Sequence, residues 1–546
     1  MPAPSFSSPD WWRQAAVYQI YPRSFADANG DGIGDLAGIT SRVPYLTSLG
    51  IDAVWLCPFY PSHLADGGYD VDDYQNVDPR IGTLEDFDHM VRALHEAHIK
   101  LIIDIVPNHC SNYHEWFQEA IESGPGSPAR ERFHFRDAVG PNPPNTWGAL
   151  FGGPTWTRVT EPDGTLGQWY FHTCSPEQPD WNWDHPDVQR YFLETLRFWS
   201  DRGVDGFRVD MAHGCAKNLD PAYDVLLDIN DITSLCVDGQ HPTHDRDEIH
   251  AVYRQWRQLF NEYDPPRMAV AEAWVPPHRA ALYASKEELG QSFNFELLQA
   301  NFDARQFREI IDKNVSEAAR AGSSTTWVFS NHDVVRHTTR YGLPDHENDG
   351  HPWLLRGGSY AEVDLTSGTR RAIAATLLML ALPGSAYLYQ GEELALPEVG
   401  DLPDSVRQDP AFFRDRENTI GRDGCRVPLP WSASGRSLGF GEGDGWLPQP
   451  DWFAVYSVET QEGAGDSYLN FYRTALALRR ELQDAEELTW HDSPENTLHF
   501  SRPGGWHCFT NFGKENVPLP AGQIIIGTQG GIDGVLPGEA TVWLRL

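Results

Sequence analysis

The sequence predicts an α/β protein: a (β/α)8 barrel of the TIM type, with a small domain inserted after the third strand and an antiparallel β domain at the C-terminus. Three observations lead there. Short apolar or β-branched runs alternate with helix-sized amphipathic runs along most of the chain, the pattern of βαβ units and a parallel sheet. An acid or a histidine follows the end of run after run, and barrel enzymes assemble their chemistry at that face. Between His109 and Pro179 the alternation gives way to Pro, Gly, Trp and Asn, over a stretch too long for an ordinary connection. The expected division is 1–108 and 180–483 for the barrel, 109–179 for the insertion and 484–546 for a C-terminal β-sandwich, in keeping with a length of 546 residues.

Residues 16–21 read as the first strand. They lead into a loop with Asp27, Asn29, Asp31, Ile33 and Asp35 at alternate positions between glycines. Oxygen ligands so spaced resemble the start of a calcium loop, with Ile33 offering its carbonyl and Asp35 closing the site. Position twelve is Gly38 rather than Glu, so this is no EF-hand; an Asp/Asn/Gly turn capping the next helix is the competing reading. A structural Ca²⁺ is expected. Next come a strand at 52–56, a loop through Asp66 and Tyr69, a helix at 84–97 and a strand at 101–106 ending at Asn108 and His109. After the insertion follow a helix at 188–202, strands at 204–211, 268–274 and 325–329, a helix at 371–381 and a strand at 385–389. Residues 345–358, rich in His, Asn, Asp and Gly, read as a mobile loop beside Asp333 that walls the substrate entrance. Residues 469–482 read as the last barrel helix. Short alternating strands follow near 488–490, 498–500, 506–510 and 541–546.

Alternate side chains of a strand face the same way, so Arg208 and Asp210 share a face. A carboxylate beside a permanent cation stays ionised and, held at a strand end, is a ready nucleophile. For an R-x-D alone, a structural ion pair explains as much. Likewise one strand-end acid serves equally as a helix cap. Asp210, Glu272 and Asp333 together with His109 and His332 exceed what caps require. Three acids in one pocket repel, so one should hold its proton near neutral pH and stand as general acid beside an ionised nucleophile.

The segments Asp104 to His109, Gly206 to Asp210, Ala271 to Trp274 and Phe329 to Asp333 resemble, in order, the four signature regions of the α-amylase family, glycoside hydrolase family 13. Gln178 to Trp183 and Gly32 to Leu36 resemble its α-glucosidase and oligo-1,6-glucosidase branch. The resemblance implies an exo-acting retaining α-glucosidase, with its two carboxyls about 5 to 5.5 Å apart. In it Asp210 would form the glucosyl ester, Glu272 would protonate the leaving oxygen and then activate water, and Asp333 would hold the sugar's 2- and 3-hydroxyls. His109 and His332 would bind the same sugar, Arg208 would orient Asp210, and Tyr69 would be the stacking platform. Asp66 and Arg422 would close the pocket, with Arg426 a rival for the latter's part. Phe151 would line the entrance. Relatives that cut α-1,6 bonds often carry Val after the nucleophile and α-1,4 enzymes often Thr or Ala, whereas Met211 stands here and leaves the linkage open. An oligo-1,6-glucosidase, a sucrose-type hydrolase, a transglycosylase and a non-catalytic relative are the alternatives.

Composition narrows the partners. Lys and Arg number 42 against 78 Asp and Glu, a net charge of −36 that argues against nucleic acid or an anionic membrane and for an uncharged small substrate. Aromatics at 12% with 20 Trp offer flat faces to sugar rings, although a bulky core would use them as well. Seven scattered cysteines, an odd number without CxxC spacing, predict no disulfides and a reducing compartment. With no secretory pattern at the N-terminus and no apolar run of about eighteen residues, a cytoplasmic protein is expected. Nothing in the sequence bears on oligomeric state.

Overall fold

The computed structural model describes residues 7–225, 239–483, 485–530 and 534–546; Cys236 lies outside them. In chain order the strands are β1 (Ala16–Ile20), β2 (Ala53–Leu56), β3 (Lys100–Ile105), then β4 (Phe135–Arg136), β5 (Trp156–Thr160) and β6 (Leu166–Phe171) in the insertion. Next come β7 (Gly206–Val209), β8 (Met268–Ala271), β9 (Gly290–Ser292), β10 (Thr326–Val328) and β11 (Ser385–Tyr389). Eight of them form one parallel sheet in the order β10-β11-β1-β2-β3-β7-β8-β9. Its two ends meet through a side chain: the Thr326 hydroxyl donates to the Ser292 carbonyl at 2.9 Å and accepts from the Asn294 amide at 3.1 Å. Every residue of these eight strands is buried, as parallel strands are when helices cover the sheet.

The covering helices include Leu84–Glu96, Pro186–Asp201, Ile249–Phe260, Ala304–Ala321, Leu365–Ala381 and Tyr468–Leu482. Local chemistry sets their ends. Thr83 and Asp86 exchange side-chain-to-backbone bonds at the start of Leu84–Glu96, a capping box, and Gly322 closes Ala304–Ala321 in the left-handed conformation that costs glycine least.

Several expectations need correction. The sixth barrel strand, β9, has no counterpart in the sequence pattern, because Gly290, Gln291 and Ser292 contain no apolar run to signal it. The helix expected from 371 begins at Leu365, where the Asp364 side chain accepts from the Ser367 amide and caps a polar first turn. Residues 345–358 are no open loop: they hold a 3₁₀ turn, Asp345–Glu347, and a helix, His351–Leu355. Trp353 from that helix is buried with Val335, Leu343, Leu354, Val363 and Ile420, so the segment forms a packed shoulder.

The insertion carries the antiparallel sheet β4-β6-β5 and a helix, Glu115–Ser123, whose Phe117 lies edge-on to Phe133 and Tyr170. The C-terminal strands are β12 (Thr489–Trp490), β13 (Thr497–Arg502), β14 (Trp506–Asn511), β15 (Val517–Pro518), β16 (Gln523–Gly527), β17 (Val535–Leu536) and β18 (Ala540–Arg545). Five form an antiparallel sheet, β12-β13-β14-β18-β16, and β15 pairs with β17. The expected sandwich is lopsided. On one face of β18, Thr541 donates to the Ala374 carbonyl (2.8 Å) and Trp543 to the Leu377 carbonyl (3.1 Å), docking the sheet on Leu365–Ala381. Beside them Glu539 binds Arg370 at 2.7 Å and Arg371 at 2.8 Å. On the other face Val542 and Leu544 pack with Phe509, Leu536 and Ala540. A barrel helix thus replaces most of the second layer.

The described cysteines, Cys57, Cys110, Cys174, Cys215, Cys425 and Cys508, are free and buried. Among the described residues no helix is long and apolar enough to cross a membrane.

Candidate active site

Arg208 of β7 is a buried hub. In register with Asp104 of β3, it donates from one guanidinium nitrogen to Asp104 Oδ1 and Asp210 Oδ1, both at 2.6 Å, and from the other to Glu272 Oε2 at 2.6 Å. Arg208 is thus ion-paired with Asp104 as well as with the Asp210 of its own R-x-D. The ladder continues past the strand ends: the Asp210 amide donates to the Ile105 carbonyl and the Glu272 amide to the Val209 carbonyl, each at 2.9 Å. These bonds fix where the two carboxylates leave the barrel. Met211, in a left-handed conformation (φ 42°), turns its amide to Glu272 Oε2 at 3.0 Å. The Trp274 indole, stacked on Phe295, donates to Glu272 Oε1 at 3.1 Å.

Asp333 follows β10, and its Oδ1 accepts from both Arg422 and Arg426 at 3.0 Å. Arg422 reaches on to Asp66 Oδ1 at 2.6 Å and is braced by Asp409 at 2.5 Å, with its guanidinium carbon 5.1 Å from the centre of the Phe151 ring. The two arginines expected as rivals act on one acid, and Arg422 alone bridges to Asp66. Beneath them Gln19 can only donate from Nε2, so His332 Nδ1 accepts (2.7 Å) and His332 Nε2–H donates to the Tyr69 hydroxyl (2.7 Å). That hydroxyl in turn donates to Asp104 Oδ2 at 3.2 Å. His109 Nε2 donates to the Tyr69 carbonyl at 3.2 Å.

The electrostatics divide the acids. Burial pushes the Asp210 carboxyl well above the usual range; Arg208 opposes this, while Glu272 and Asp104 add to it. For Asp333 burial pulls the same way, but His332, Arg422, Arg426 and Arg208 outweigh it and hold the carboxyl well below the usual range. Burial lowers His332 to about 3 and His109 to about 4, so both rings are neutral at working pH.

One cavity of about 270 Å³ is lined by Asp66, Tyr69, His109, Phe151, Asp210, Glu272, His332, Asp333 and Arg422. Pockets for drug-sized ligands measure roughly 300–1,000 Å³, so this one lies at the small end. Arg208 lies under the floor rather than on the wall. No residue of 345–358 lines the cavity, which corrects the expected entrance wall; Leu150 and Phe151 from the insertion, Met211, His244 and Trp274 stand there instead. Asp104, Gln19, Asp409, His213, His244 and Cys174 also belong to the site or its supports, although none of them has a role in the sequence pattern. Asp104 stood inside a quoted motif, so its strand position was a usable signal; Gln19 and Asp409 carried none.

The acidic loop near β1 is a capping turn in which every expected side chain is engaged by backbone. Asp27 accepts from the Gly30 (2.7 Å) and Gly32 (2.9 Å) amides, and Asp35 from Gly38 (2.6 Å), Ala28 (3.0 Å) and Asn29 (3.1 Å). Asn29 accepts from the Asp31 amide at 2.8 Å and Asp31 from that of Ile33 at 2.9 Å. Each Asp27 oxygen and Asp35 Oδ1 accepts one amide and keeps a lone pair, whereas Asp35 Oδ2 already accepts two. Asp27 and Asp35 are both buried, and no ion pair to either occurs among the described residues. Burial, with Asp27 adding to it against the backbone amides, raises the Asp35 carboxyl. The side-chain oxygens are hard donors of the kind Ca²⁺ takes, but Asp27, Asp31 and Asp35 do not bring one carboxylate oxygen each within 4.8 Å of one another.

The sequence profile of the α-amylase catalytic domain matches residues 19–487. A probable α-glucosidase of Rhizobium meliloti (strain 1021) is 38% identical over 486 residues, covering 86% of this chain and 83% of the relative. The oligo-1,6-glucosidase of Heyndrickxia coagulans is 32% identical over 507 residues, covering 86% and 85%. The crystal structure of an α-glucosyl transfer enzyme superposes with a TM-score of 0.83 at 32% identity, covering 98% of this chain and 99% of the other. The chain therefore belongs to the α-amylase family of glycoside hydrolases.

Proposed function

We propose that this glycoside hydrolase is an exo-acting retaining α-glucosidase that releases single glucose units from the non-reducing ends of maltose and short malto-oligosaccharides. The observation that carries the reading is the Asp66–Arg422–Asp333 bridge in the wall of the small cavity that Asp210 and Glu272 also line. A chain continuing beyond the bound sugar has nowhere to go. Two carboxylates gripped by one planar guanidinium sit close together, which favours the narrow spacing of retaining enzymes over the wider inverting one.

In the first half-reaction an Asp210 oxygen bonds to the anomeric carbon as the glycosidic C–O bond breaks, and Glu272 gives its proton to the leaving oxygen. In the second, water bonds to that carbon and yields a proton to Glu272, and the ester bond to Asp210 breaks. Asp333, held ionised by its two arginines, would take the 2- and 3-hydroxyls, and neutral His109 and His332 would hydrogen-bond the same ring. The faces of Tyr69 and Phe151 exclude water and offer π-density to the cationic ring of the transition state. On the leaving side stand Met211 and the partly exposed Trp274. An unbranched side chain at Met211 leaves room for a maltose-like approach.

A panel of maltose, isomaltose, sucrose, trehalose and amylose, with products resolved, tests the proposal. Glucose from maltose at the highest kcat/KM, slower cleavage of isomaltose and scarcely any attack on amylose are expected. Internal cleavage of amylose at the maltose rate would refute the closed pocket, and a clear preference for isomaltose the linkage. Glucosyl transfer to maltose at high substrate would appear as longer oligosaccharides, by capture of the Asp210 ester by a sugar instead of water.

The loop of Asp27, Asn29, Asp31, Ile33 and Asp35 would hold a structural Ca²⁺ whose only contribution is to neutralise Asp27 and Asp35 and hold the turn. Chelation should lower Tm and calcium restore it, while the still-folded fraction keeps its specific activity. Identical melting with and without chelator would rule the ion out.

A further inference from the structure

We propose that His491, His499 and His507, on the outer face of the C-terminal sheet, form a binding site for a divalent transition-metal cation of the zinc class. They are the one trio of His, Cys, Asp or Glu among the described residues whose ligand atoms all lie within 4.8 Å of one another.

Strand register brings them together. β12 pairs with β13 through Thr489↔Ser501 and Trp490↔Phe500, and one step further the His491 amide donates to the His499 carbonyl at 2.9 Å. β14 places His507 opposite Ser501, two residues along from His499 and therefore on the same face. The ring centroids lie 4.7 to 5.1 Å apart. Phe509, Val542 and Leu544 share this face, whereas Thr541 and Trp543 point the other way to the barrel helix. The trio is thus turned away from the barrel.

The nitrogen spacing suits a metal. His499 Nε2 and His507 Nδ1 are 3.0 Å apart, a single hydrogen bond between two imidazoles. Two nitrogens bound tetrahedrally at about 2.0–2.1 Å stand roughly 3.3 to 3.4 Å from each other. A cation would replace the shared proton with little movement of either ring. Ser501 fixes the His491 ring through a 2.8 Å contact to Nε2, the kind of outer partner that orients metal-bound histidines. Burial and the two neighbouring imidazoles hold His499 down to about 4, so its ring is uncharged at neutral pH. Three imidazoles select borderline cations such as Zn²⁺, Ni²⁺ or Cu²⁺ over Ca²⁺ or Mg²⁺. The bare alternative is an aromatic cluster packed across three strands. It explains the stacking but predicts no metal affinity.

Bound there, the ion would tie β12, only two residues long and at the sheet edge, to β13 and β14. The test uses the full chain, stripped with chelator and returned to buffer with excess CaCl₂ so that acidic sites are filled. Zn²⁺ is titrated into it and into His491→Ala/His507→Ala, which leaves buried His499 in place; His507→Gln serves should the double variant not fold. Expected are one more tight Zn²⁺ equivalent in the wild type, a Zn²⁺-dependent rise of Tm lost in the variant, and a visible Co²⁺ spectrum of tetrahedral type in the wild type alone. Affinity for that equivalent should fall roughly tenfold or more when ligands are removed. Equal stoichiometry and equal Tm shifts in wild type and variant would overturn the site.

Discussion

Asp210→Asn and Glu272→Gln should each lower kcat on maltose by about a thousandfold or more, with Tm close to that of the wild type. A positioned proton donor contributes roughly 10² to 10⁴ in rate, and without the nucleophile no covalent route exists. Both substitutions keep shape and an accepting oxygen for Arg208, whose grip on Asp104 holds the hub together. The two losses differ in kind. An aryl glucoside with a good leaving group needs no protonation, so Glu272→Gln should regain ester formation on it and Asp210→Asn should not. The wild-type pH profile carries the same signature. Asp210 attacks only when ionised, and its raised carboxyl means that kcat/KM falls on acidification at a higher pH than an ordinary aspartate would impose. Wild-type rates in either variant, or ester formation surviving in Asp210→Asn, would displace these residues from the chemistry.

Asp66→Ala should reduce kcat/KM on maltose by more than tenfold. Asp66 is buried and takes one nitrogen of Arg422, while Asp333 takes another and Asp409 braces the third. In the proposed reading, removing Asp66 withdraws an acceptor from the outer hydroxyls of the first sugar, and it leaves Arg422 with only Asp333 and Asp409 as ion-pair partners. Leaving such a polar group short of its bonds typically costs about 1–3 kcal/mol. Because Asp409 still anchors Arg422, the fold should survive and the loss should appear in turnover, not in the yield of soluble protein. Unchanged kcat/KM would mean that the closed end of the pocket lies elsewhere.

The barrel was legible because its strands are short, wholly buried and punctuated by acids, a pattern that survives without any contact map. β9 was invisible for the opposite reason: Gly290, Gln291 and Ser292 owe their strand to β8 on one side and the Thr326 hydroxyl on the other. In the site, residues at strand ends announced themselves. Groups that act through them did not. Asp409 braces Arg422 from a loop with no pattern of its own, Gln19 serves a partner distant in sequence, and only folding reveals that an amide donor on β1 decides which nitrogen of His332 carries the proton. Residues 345–358 misled because His, Asn, Asp and Gly read as a surface loop, while Trp353 among them supplied the anchor that folds the segment inward.

Met211 couples two properties usually thought of separately. Its backbone is left-handed at φ 42°, its amide holds Glu272, and its side chain lines the cavity, on the leaving side in the proposed reading. A left-handed backbone costs an ordinary L-residue about 1–2 kcal/mol and penalises β-branched side chains further. Any lineage, natural or in the laboratory, that exchanges Met211 for Val to change which bond is cut must therefore cross a stability deficit first. Substrate range at this position is inherited together with foldedness, and the shortest route to a new specificity begins with a stabilising change elsewhere.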